Sequence, residues 1–422
     1  IHAAAVQLRA HSRASFAAAW PAITQHVEAA AASGAGIVVL PEGTLPAYVL
    51  GYDRYEPSEI EAALEQCAAI ARRYGVVLVA GAARREGDRV FNSAVVIERD
   101  GSIAGSADKH FLWHFDRQWY APGERIEPIR TSIGCIGALV CADGRIPTIA
   151  RALVDAGAEI LVMPTAWVTS GRDPQQMENA QADLLARVRA RENGVPFIAA
   201  NKCGVERGCV AYCGKSQIVA ADGMPIVVAS QDREETIFAT LDVGAPAPQR
   251  RPYEPMGVSI PGESRACRLA ITARSPHPDD EELLRILEAD ALIYADEIAP
   301  LGTIDGIVFT VTDGMVLDPG VLAEMRVSGD LQLAVWRTSY DPSWQVTFAR
   351  ARALELRMYV IVIDTAHDRA YAVDPDGAVV CGTFGEYRVA SFTFDPAKTR
   401  QTAVAPGTDV LQGLQRARSH AR

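Results

Sequence analysis

The chain has 422 residues and a formal net charge of −11, with 49% hydrophobic and 22% charged residues. This composition excludes a disordered or collagen-like chain, and the acidic balance argues against nucleic acid or a membrane surface as a partner. No apolar run reaches the roughly 18 residues that a membrane-spanning helix requires. The first residues predict a strand rather than a signal peptide, and the eight scattered cysteines are typical of a reducing compartment. We therefore expect a cytoplasmic protein.

Between residues 1 and 244, apolar runs of the strand type alternate with helical patterns. The predicted strands are AAAVQL, GIVVLPE, VVLVAGAA, NSAVVIE, IGALVCAD, EILVMPT and PFIAANKC. Alanine-rich amphipathic stretches predict the helices FAAAWPAITQHVEAAAASG and EIEAALEQCAAIARRYG, and both stretches end in a glycine, as helices commonly do. This alternation predicts an α/β fold in which helices cover a sheet.

A proline-rich stretch over residues 245–265 predicts a linker, and the residues beyond it repeat patterns of the first part. Four segments recur in the same order: GIVVLPE, ALVCADG, residues 186–201 and Asp222-Gly223 are matched by ALIYADE, FTVTDG, residues 349–364 and Asp376-Gly377. Ordered matches favour a duplicated unit over the alternative that any two α/β segments share apolar runs. We therefore predict a first domain over residues 1–244 and a shortened copy over residues 266–422.

Three residues of the first domain could form a reactive set. Glu42 ends a predicted strand in GIVVLPEG, Lys109 lies in ADKHFLWHF, and Cys141 ends another predicted strand in IGALVCADG. Taken singly, they have ordinary explanations as a solvated carboxylate, a surface lysine and a small core residue. Open α/β sheets present functional residues at the carboxyl ends of strands, and a thiol with a pKa of about 8.5 needs a nearby cation or base to react. The set could perform nucleophilic acyl chemistry, but spacing alone does not show that the three converge.

These segments resemble the nitrilase superfamily, also called carbon-nitrogen hydrolases, over residues 1–244. The resemblance lies in LPEG around Glu42, in DKHFLWHF around Lys109 and in CADGRIP around Cys141. Further matching segments are GAEILVMPTAW, RARENGVPFIAANKCG and GKSQIVAADG. The resemblance implies a four-layer αββα sandwich with a Glu-Lys-Cys triad that needs no metal or organic cofactor.

The resemblance also implies a role for each member of the site. Cys141 would attack a carbonyl or nitrile carbon, and Glu42 would act first as general base and then as acid. Lys109 and the backbone N–H of Ala142 would stabilise the oxyanion. Asp116 stands where many members have a second glutamate, so we expect it to hold Lys109 or the substrate. The alternative is that Asp116 forms a simple surface ion pair.

Four more residues are candidates for the substrate pocket, although most buried aromatic side chains only fill cores: Tyr48, Trp113, Thr165 and Trp167. The triplet Cys141-Ala142-Asp143 resembles the Cys-x-Asp of amidases and carbamoylases rather than the Cys-Trp-Glu of nitrilases. We therefore expect hydrolysis of a small amide or N-carbamoyl compound with release of ammonia or amine. A nitrilase and a non-catalytic binding protein on the same fold remain the alternatives.

The second unit lacks the reactive residues. Val311 stands in the place of Cys141, no segment corresponds to the Lys109 region, and only Glu297 matches Glu42. Family members usually dimerise by stacking two sandwiches. We therefore expect the second unit to take the place of that partner within one chain, which gives a monomer or a non-standard oligomer. Binding of a regulator and shaping of the substrate entrance are the alternatives.

Overall fold

The computed structural model describes residues 1–49, 57–169, 179–244, 257–258, 266–296, 307–328, 331–384 and 388–420. The chain forms two compact units. The first contains Ile1–Pro248, Ala405–Thr408 and Arg416–Arg422, and the second contains Gln249–Val404 and Asp409–Gln415. Apart from Gly257–Val258, the linker predicted over residues 245–265 lies outside the described residues, and so does Glu297. The assignment of residues 1–244 as catalytic and of residues 266–422 as a degenerate copy stays a prediction.

The first unit is built from alternating strands and helices. Its strands are β1 (His2–Arg9), β2 (Ile37–Val39), β3 (Val77–Glu86), β4 (Arg89–Ile97), β5 (Ile103–Asp108), β6 (Ile129–Thr131), β7 (Gly134–Ala138), β8 (Ile160–Pro164), β9 (Phe197–Ala200), β10 (Lys202–Glu206), β11 (Val210–Cys213), β12 (Gln217–Val219), β13 (Pro225–Val228) and β14 (Glu235–Thr240). Its helices are α1 (Phe16–Ala32), α2 (Pro57–Tyr74), α3 (Pro147–Asp155) and α4 (Ala186–Asn193). Shorter helical turns span Arg13–Ser15, His114–Gln118, Cys141–Arg145 and Gln181–Leu185. Every predicted strand and both predicted helices overlap one of these elements.

The strands of the first unit form two sheets. One has the order β11-β10-β1-β2-β3-β4-β5, with β14 also paired to β1, and the other has the order β13-β12-β9-β8-β7-β6. In the first sheet β1 pairs in parallel with β2, and Ala3 lies opposite Ile37. The residues of β1 between Ala3 and Leu8 are all buried. Strands that are covered on both faces need apolar side chains at successive positions, which explains the continuous apolar runs in the sequence.

Helices cover the outer faces of both sheets. Val27 of α1 and Cys67 of α2 share one buried cluster with Val38 and Val95 of the first sheet. Helix α3 lies against β7, and α4 lies against β9 and β12. The inner faces meet where β2 and β3 contact β8 and β9. The first unit is therefore a four-layer αββα sandwich, in agreement with the predicted architecture.

The region of Cys141 differs from the prediction in one respect. The sequence predicted that this residue ends a strand, whereas β7 ends at Ala138 and Cys141 begins a helical turn that extends to Arg145. The reason is that Asp143 accepts the backbone N–H of Val140 at 3.1 Å, which competes with pairing in the sheet. We call Cys141–Arg145 the thiol turn.

The rest of the chain continues the α/β pattern. Its strands are β15 (Gly257–Val258), β16 (Cys267–Ile271), β17 (Ala291–Ile293), β18 (Ile307–Val311), β19 (Leu331–Arg337), β20 (Tyr359–Asp364), β21 (Arg369–Val373), β22 (Val379–Gly382), β23 (Ala390–Phe394), β24 (Ala403–Ala405) and β25 (Thr408–Asp409). Its helices are α5 (Asp280–Ile286), α6 (Asp313–Leu317), α7 (Pro319–Ser328), α8 (Pro342–Leu356), α9 (Pro396–Arg400) and α10 (Val410–His420). None of the helices in the described ranges is long and apolar enough to cross a membrane.

The sheets of the second unit repeat a strand arrangement of the first. The order β15-β18-β19-β20-β21-β22 has the same succession of antiparallel and parallel pairs as β6-β7-β8-β9-β12-β13. The smaller sheet β17-β16-β23 corresponds in the same way to β2-β1-β14. The two sheets enclose an apolar core that includes Leu269, Val335, Ile361 and Phe394.

Candidate active site

Lys109 lies between two carboxylates in the interior of the first unit. Its Nζ is 2.7 Å from Oε1 of Glu42 and 2.6 Å from Oδ2 of Asp116, and none of the three side chains is exposed. Burial alone would lower the pKa of Lys109, but the two carboxylates outweigh burial and hold this pKa well above its usual value. The lysine is therefore a fixed positive charge rather than a proton donor at neutral pH.

The sequence predicted that Glu42 ends a strand, whereas β2 ends at Val39 and Glu42 follows it, held by the neighbouring strands. Its Oε1 accepts a hydrogen bond from Nδ2 of Asn92 at 2.7 Å. Strand β3 passes so close that a Cβ added at Gly81 would lie 2.5 Å from the Cα of Glu42, so this position requires glycine. Burial raises the pKa of Glu42, Asp116 raises it further, and Lys109 opposes both effects. A carboxylate with a raised pKa is a better general base at neutral pH than an exposed one.

Asp143 joins the thiol turn to the lysine segment. Its Oδ1 accepts the backbone N–H groups of His110 at 3.0 Å and of Phe111 at 2.8 Å, the two residues that follow Lys109. Cys141 at the start of the turn has a φ of 44°, in the left-handed region that costs a non-glycine residue about 1–3 kcal/mol. The turn is therefore held in a strained shape by contacts with a distant segment.

The Cys141 thiol is buried beside the carboxylate of Glu42. Its other neighbours are the hydroxyl of Thr165 and the backbone N–H of Ala166. Burial, together with the charge of Glu42, raises the pKa of Cys141 to about 12, although Lys109, Thr165 and the backbone of Ala166 oppose the shift. At neutral pH the group is a thiol, so nucleophilic attack requires a base that accepts its proton.

Asp116 lies in the turn His114–Gln118 with its carboxylate buried. Beside the contact with Lys109, its Oδ2 accepts the backbone N–H of Trp113 at 2.9 Å and its Oδ1 accepts the hydroxyl of Tyr48 at 2.8 Å. The ring of Tyr48 also lies 5.6 Å from the Nζ of Lys109, within range of a cation–π interaction. The structure thus pairs Asp116 with the buried lysine and not with a surface cation, which was the alternative.

A family comparison identifies the class of this site. A sequence profile of carbon-nitrogen hydrolases matches residues 2–251, more than half of the chain. The chain belongs to the carbon-nitrogen hydrolase family. "Hydrolase in pqqF 5'region" from Pseudomonas protegens is 30% identical over 262 residues, which cover 61% of this chain and 84% of that protein. A citrullinase from Francisella tularensis is 28% identical over 240 residues, which cover 52% of this chain and 82% of that protein.

A solved structure agrees with this assignment. The crystal structure of a carbon-nitrogen hydrolase from Helicobacter pylori G27 is 31% identical to this chain and superposes with a TM-score of 0.51. The match covers 57% of this chain and 89% of that one. The relatives also include proteins named as nitrilases and as an (R)-stereoselective amidase.

The remaining predicted site residues of this hydrolase lie at or near the thiol turn. Ala142 is buried within the turn, and Thr165 contacts the thiol. Trp167 is buried, and its indole N–H has no hydrogen-bond partner among the described residues, which leaves a donor for a ligand. Trp113 is half-buried, and the guanidinium of Arg145 lies 4.8 Å from its ring centroid. Their role in substrate binding stays a prediction.

Two residues that shape the site were not singled out from the sequence. Asn92 holds Glu42 from within the predicted strand NSAVVIE, and Asp143 entered the predictions only through the internal repeat and the Cys-x-Asp triplet. Both side chains are at most 2% exposed. A buried polar side chain needs a hydrogen-bond partner. A polar residue inside an apolar run therefore indicates a specific contact, and this pattern could have identified both residues. Over the part of the chain that the structure describes, no group of three or more His, Cys, Asp or Glu side chains could hold a metal ion.

Residues near the end of the chain contact the segment that carries Asp116. The hydroxyl of Thr408 accepts the backbone N–H of His114 at 2.6 Å, and the guanidinium of Arg416 donates to the carbonyl of Gly123 at 3.1 Å. Both residues lie within the predicted second domain, residues 266–422, whereas in the structure they belong to the first unit. Contacts between residues about 290 positions apart produce no local pattern in the sequence from which they could be predicted.

Proposed function

We propose that this protein hydrolyses a small amide or N-carbamoyl compound through a thioester on Cys141. The observation that carries the proposal is the buried Lys109, whose Nζ lies 2.7 Å from Glu42 and 2.6 Å from Asp116 beside that thiol. Membership of the carbon-nitrogen hydrolases supports the reaction class. Relatives named citrullinase and (R)-stereoselective amidase support the class of substrate.

In the first half-reaction the sulfur of Cys141 attacks the carbonyl carbon while the thiol proton passes to Glu42. The carbonyl oxygen becomes negative and is stabilised by the Nζ of Lys109 and the backbone N–H of Ala142, and such donors contribute about 2.7–4 kcal/mol each in other enzymes. Glu42 then donates the proton to the leaving nitrogen. The carbon–nitrogen bond breaks, ammonia or amine departs, and the acyl group stays on sulfur.

In the second half-reaction water replaces the departed nitrogen compound. Glu42 accepts a proton from the water, whose oxygen attacks the thioester carbon. The carbon–sulfur bond breaks, the acid leaves, and the proton returns from Glu42 to the sulfur of Cys141. The site then regains its resting state, in which the buried sulfur is protonated.

Cys141→Ala tests the proposed nucleophile. We expect ammonia release from an amide library to fall by about 10³-fold or more, because the variant has no covalent route. Mass spectrometry of the wild type with an active amide should show an acyl adduct on the peptide that contains Cys141. Cys135→Ala is a matched control, because that thiol is also 6% exposed and lies on β7, and it should retain both activity and adduct. Amide turnover by Cys141→Ala at the wild-type rate would refute the mechanism.

A nitrilase is the second candidate, because relatives are named nitrilases. The sequence Cys141-Ala142-Asp143 favours amides. The rate of ammonia release from a nitrile and from the amide of the same carbon skeleton distinguishes a nitrilase from an amidase. A nitrilase releases ammonia faster from the nitrile. A non-catalytic binding protein would give neither ammonia nor an adduct on Cys141 with any member of the library.

We also infer that the second unit is a shortened copy that replaces a partner subunit. The equal succession of strands in the two units supports this. So does a repeated buried ion pair, Arg189–Glu192 in the first unit and Arg352–Glu355 in the second, in which each arginine also donates to a backbone carbonyl. Light scattering should give the mass of one chain, 45.3 kDa. A dimer whose interface is formed by two copies of the first unit would contradict the inference.

A further inference from the structure

A second buried set of charged residues lies beside Tyr48 and takes no part in the reaction described above. The Nζ of Lys202 is 3.0 Å from Oε2 of Glu206, and the same oxygen accepts the hydroxyl of Tyr212 at 2.7 Å. These three side chains are each at most 1% exposed. The ammonium of Lys202 lies 5.8 Å from the ring centroid of Tyr48. We call these charges the Lys202–Glu206 pair.

The Lys202–Glu206 pair holds both ends of the segment Gly43–Val49, which follows Glu42 directly and contains Tyr48. Lys202 donates to the carbonyl of the first residue of this segment at 3.2 Å. Glu206 accepts the backbone N–H of its last residue on Oε1 at 2.7 Å. Both charged side chains therefore form hydrogen bonds with the backbone of Gly43–Val49, which we call the tyrosine segment.

Tyr48 connects the tyrosine segment to the proposed catalytic groups. Its hydroxyl donates to one oxygen of Asp116 at 2.8 Å, and the other oxygen of that carboxylate is 2.6 Å from Lys109. The segment is tightly folded, because Gly43 has a φ of 56° and a Cβ added there would lie 2.5 Å from the Cα of Tyr48. A continuous series of contacts thus leads from Glu206 to Lys109.

The energetics indicate a positional role for the pair. Burial alone would raise the pKa of Glu206, but the ammonium of Lys202 and hydrogen bonds from Tyr212 and Val49 outweigh burial and hold the pKa below its usual value. The carboxylate is therefore ionised and satisfied on both oxygens. A buried ion pair often stabilises a fold no better than apolar residues of the same volume, whereas its hydrogen bonds fix the groups that they join. Here those groups are the two ends of the tyrosine segment.

We propose that the Lys202–Glu206 pair is a positioning group for the reaction, which acts through the tyrosine segment to keep both carboxylates in contact with Lys109. The inference rests on the proposed thiol chemistry. It predicts that loss of the pair changes the reactivity of Cys141 and the pH dependence of that reactivity. A merely structural pair would change only the stability of the fold.

Glu206→Gln in the full chain tests this inference, with iodoacetamide as the probe. Iodoacetamide is a small amide that alkylates sulfur with loss of iodide, while the thiol proton passes to the base. The glutamine keeps the size of the side chain and an acceptor for the backbone, but it removes the charge beside Lys202. The rate of alkylation of Cys141 is measured between pH 5 and pH 9 by mass spectrometry of the peptide that contains it. In the variant we expect this rate to fall by about 10- to 100-fold and the acidic limb of the pH–rate profile to shift.

The acidic limb reports on Glu42 and its surroundings. The charged and titratable groups that face this carboxylate are Lys109, Asp116, Cys141, Tyr48 and Tyr212. Displacement of the tyrosine segment moves several of them at once, which is why the profile should respond to a substitution that is not in contact with Glu42.

Glu355→Gln is the matched control. It breaks the buried Arg352–Glu355 pair of the second unit, whose two side chains are also unexposed and 2.8 Å apart. We expect a lower midpoint of thermal unfolding but an unchanged alkylation rate and pH profile. If Glu206→Gln fails to fold, Lys202→Arg carries the same test, because it keeps the charge but displaces the donor to the tyrosine segment.

A double-mutant cycle asks whether the pair acts through Tyr48. If it does, Tyr48→Phe combined with Glu206→Gln should lose little more reactivity than either change alone. Losses that simply multiply would overturn the proposed route.

The outcomes separate this inference from the proposed function. If Glu42→Gln does not slow alkylation of Cys141, the proposed base is wrong and the function fails. If Glu42→Gln slows it and Glu206→Gln retains the wild-type rate and profile, the function stands and the positioning role of Glu206 is refuted.

Discussion

Asp116→Asn tests the contribution of the negative charge of Asp116, because asparagine has nearly the same size and shape but no charge. In the wild type its Oδ2 is 2.6 Å from the Nζ of Lys109, and both side chains are unexposed. Asparagine keeps an oxygen for the hydroxyl of Tyr48 but removes one of the two charges that neutralise the lysine. A hydrogen bond to a charged group contributes about 1.5–3 kcal/mol, and about 1.36 kcal/mol corresponds to a tenfold change in rate. We therefore expect kcat/KM to fall by about 10- to 150-fold.

The same substitution should move the pH profile in a defined direction. Burial raises the pKa of Glu42, and repulsion from the Asp116 carboxylate raises it further. The proposed mechanism needs ionised Glu42, so kcat/KM falls as the pH drops through this pKa. Without the charge of Asp116 the pKa of Glu42 is lower, and the acidic limb should move to lower pH although the maximal rate falls.

The assay is ammonia release from the best amide of the library between pH 4 and pH 8. Asp116→Glu is the matched control, because it restores the charge on a side chain that is one methylene longer, and its limb should lie nearer to that of the wild type. An acidic limb of Asp116→Asn that stays in place or moves to higher pH would refute the argument that Asp116 acts on Glu42 through its charge.

Three other substitutions test how the site is held. Asn92→Ala removes the 2.7 Å hydrogen bond to Glu42 and should lower kcat/KM by about 10-fold or more, with a limb at higher pH because the carboxylate loses a donor. Gly81→Ala places a Cβ 2.2 Å from the carbonyl of Pro41, so it should lower the free energy of unfolding by about 1–3 kcal/mol, measured with urea, and reduce activity. Thr408→Val removes a 2.6 Å hydrogen bond to the turn that contains Asp116 and should cost about 0.5–1.5 kcal/mol of stability in the same assay.

The choice of Glu42, Lys109 and Cys141 as candidates had a physical reason, although their spacing in the sequence did not show that they converge. Parallel strands present functional residues at their carboxyl ends, and Glu42 and Cys141 each follow such a strand, although β2 and β7 belong to different sheets. The expectation extended to Asp116 only because the resemblance placed it at the position of a second carboxylate. The sequence could not distinguish a contact with Lys109 from a surface ion pair, since both place a carboxylate in a loop.

The Lys202–Glu206 pair shows what the sequence does not reveal. In NKCGVE the two charges are four residues apart, a pattern that is also typical of a solvated loop. Their neighbours are Tyr48 and a backbone segment about 160 residues away in the sequence, which no local pattern indicates. The thiol turn was not predicted either, because Asp143 accepts hydrogen bonds from two residues beside Lys109 in addition to the one from nearby Val140.

The raised pKa of Cys141 constrains how the site can work. Burial raises the pKa of Cys141 to about 12, so the sulfur is protonated at neutral pH and the proposed reaction needs a base. Proton transfer to Glu42 is therefore unfavourable until negative charge can move from sulfur to the carbonyl oxygen of a bound substrate, near Lys109. In the proposed reaction, attack and proton transfer then occur together. A site of this kind is unreactive toward electrophiles that do not fit between the lysine and the base, and its reactivity depends on geometry more than on the ionisation of the thiol. The fixed positions of Glu42 and Asp116 around Lys109 follow from that requirement.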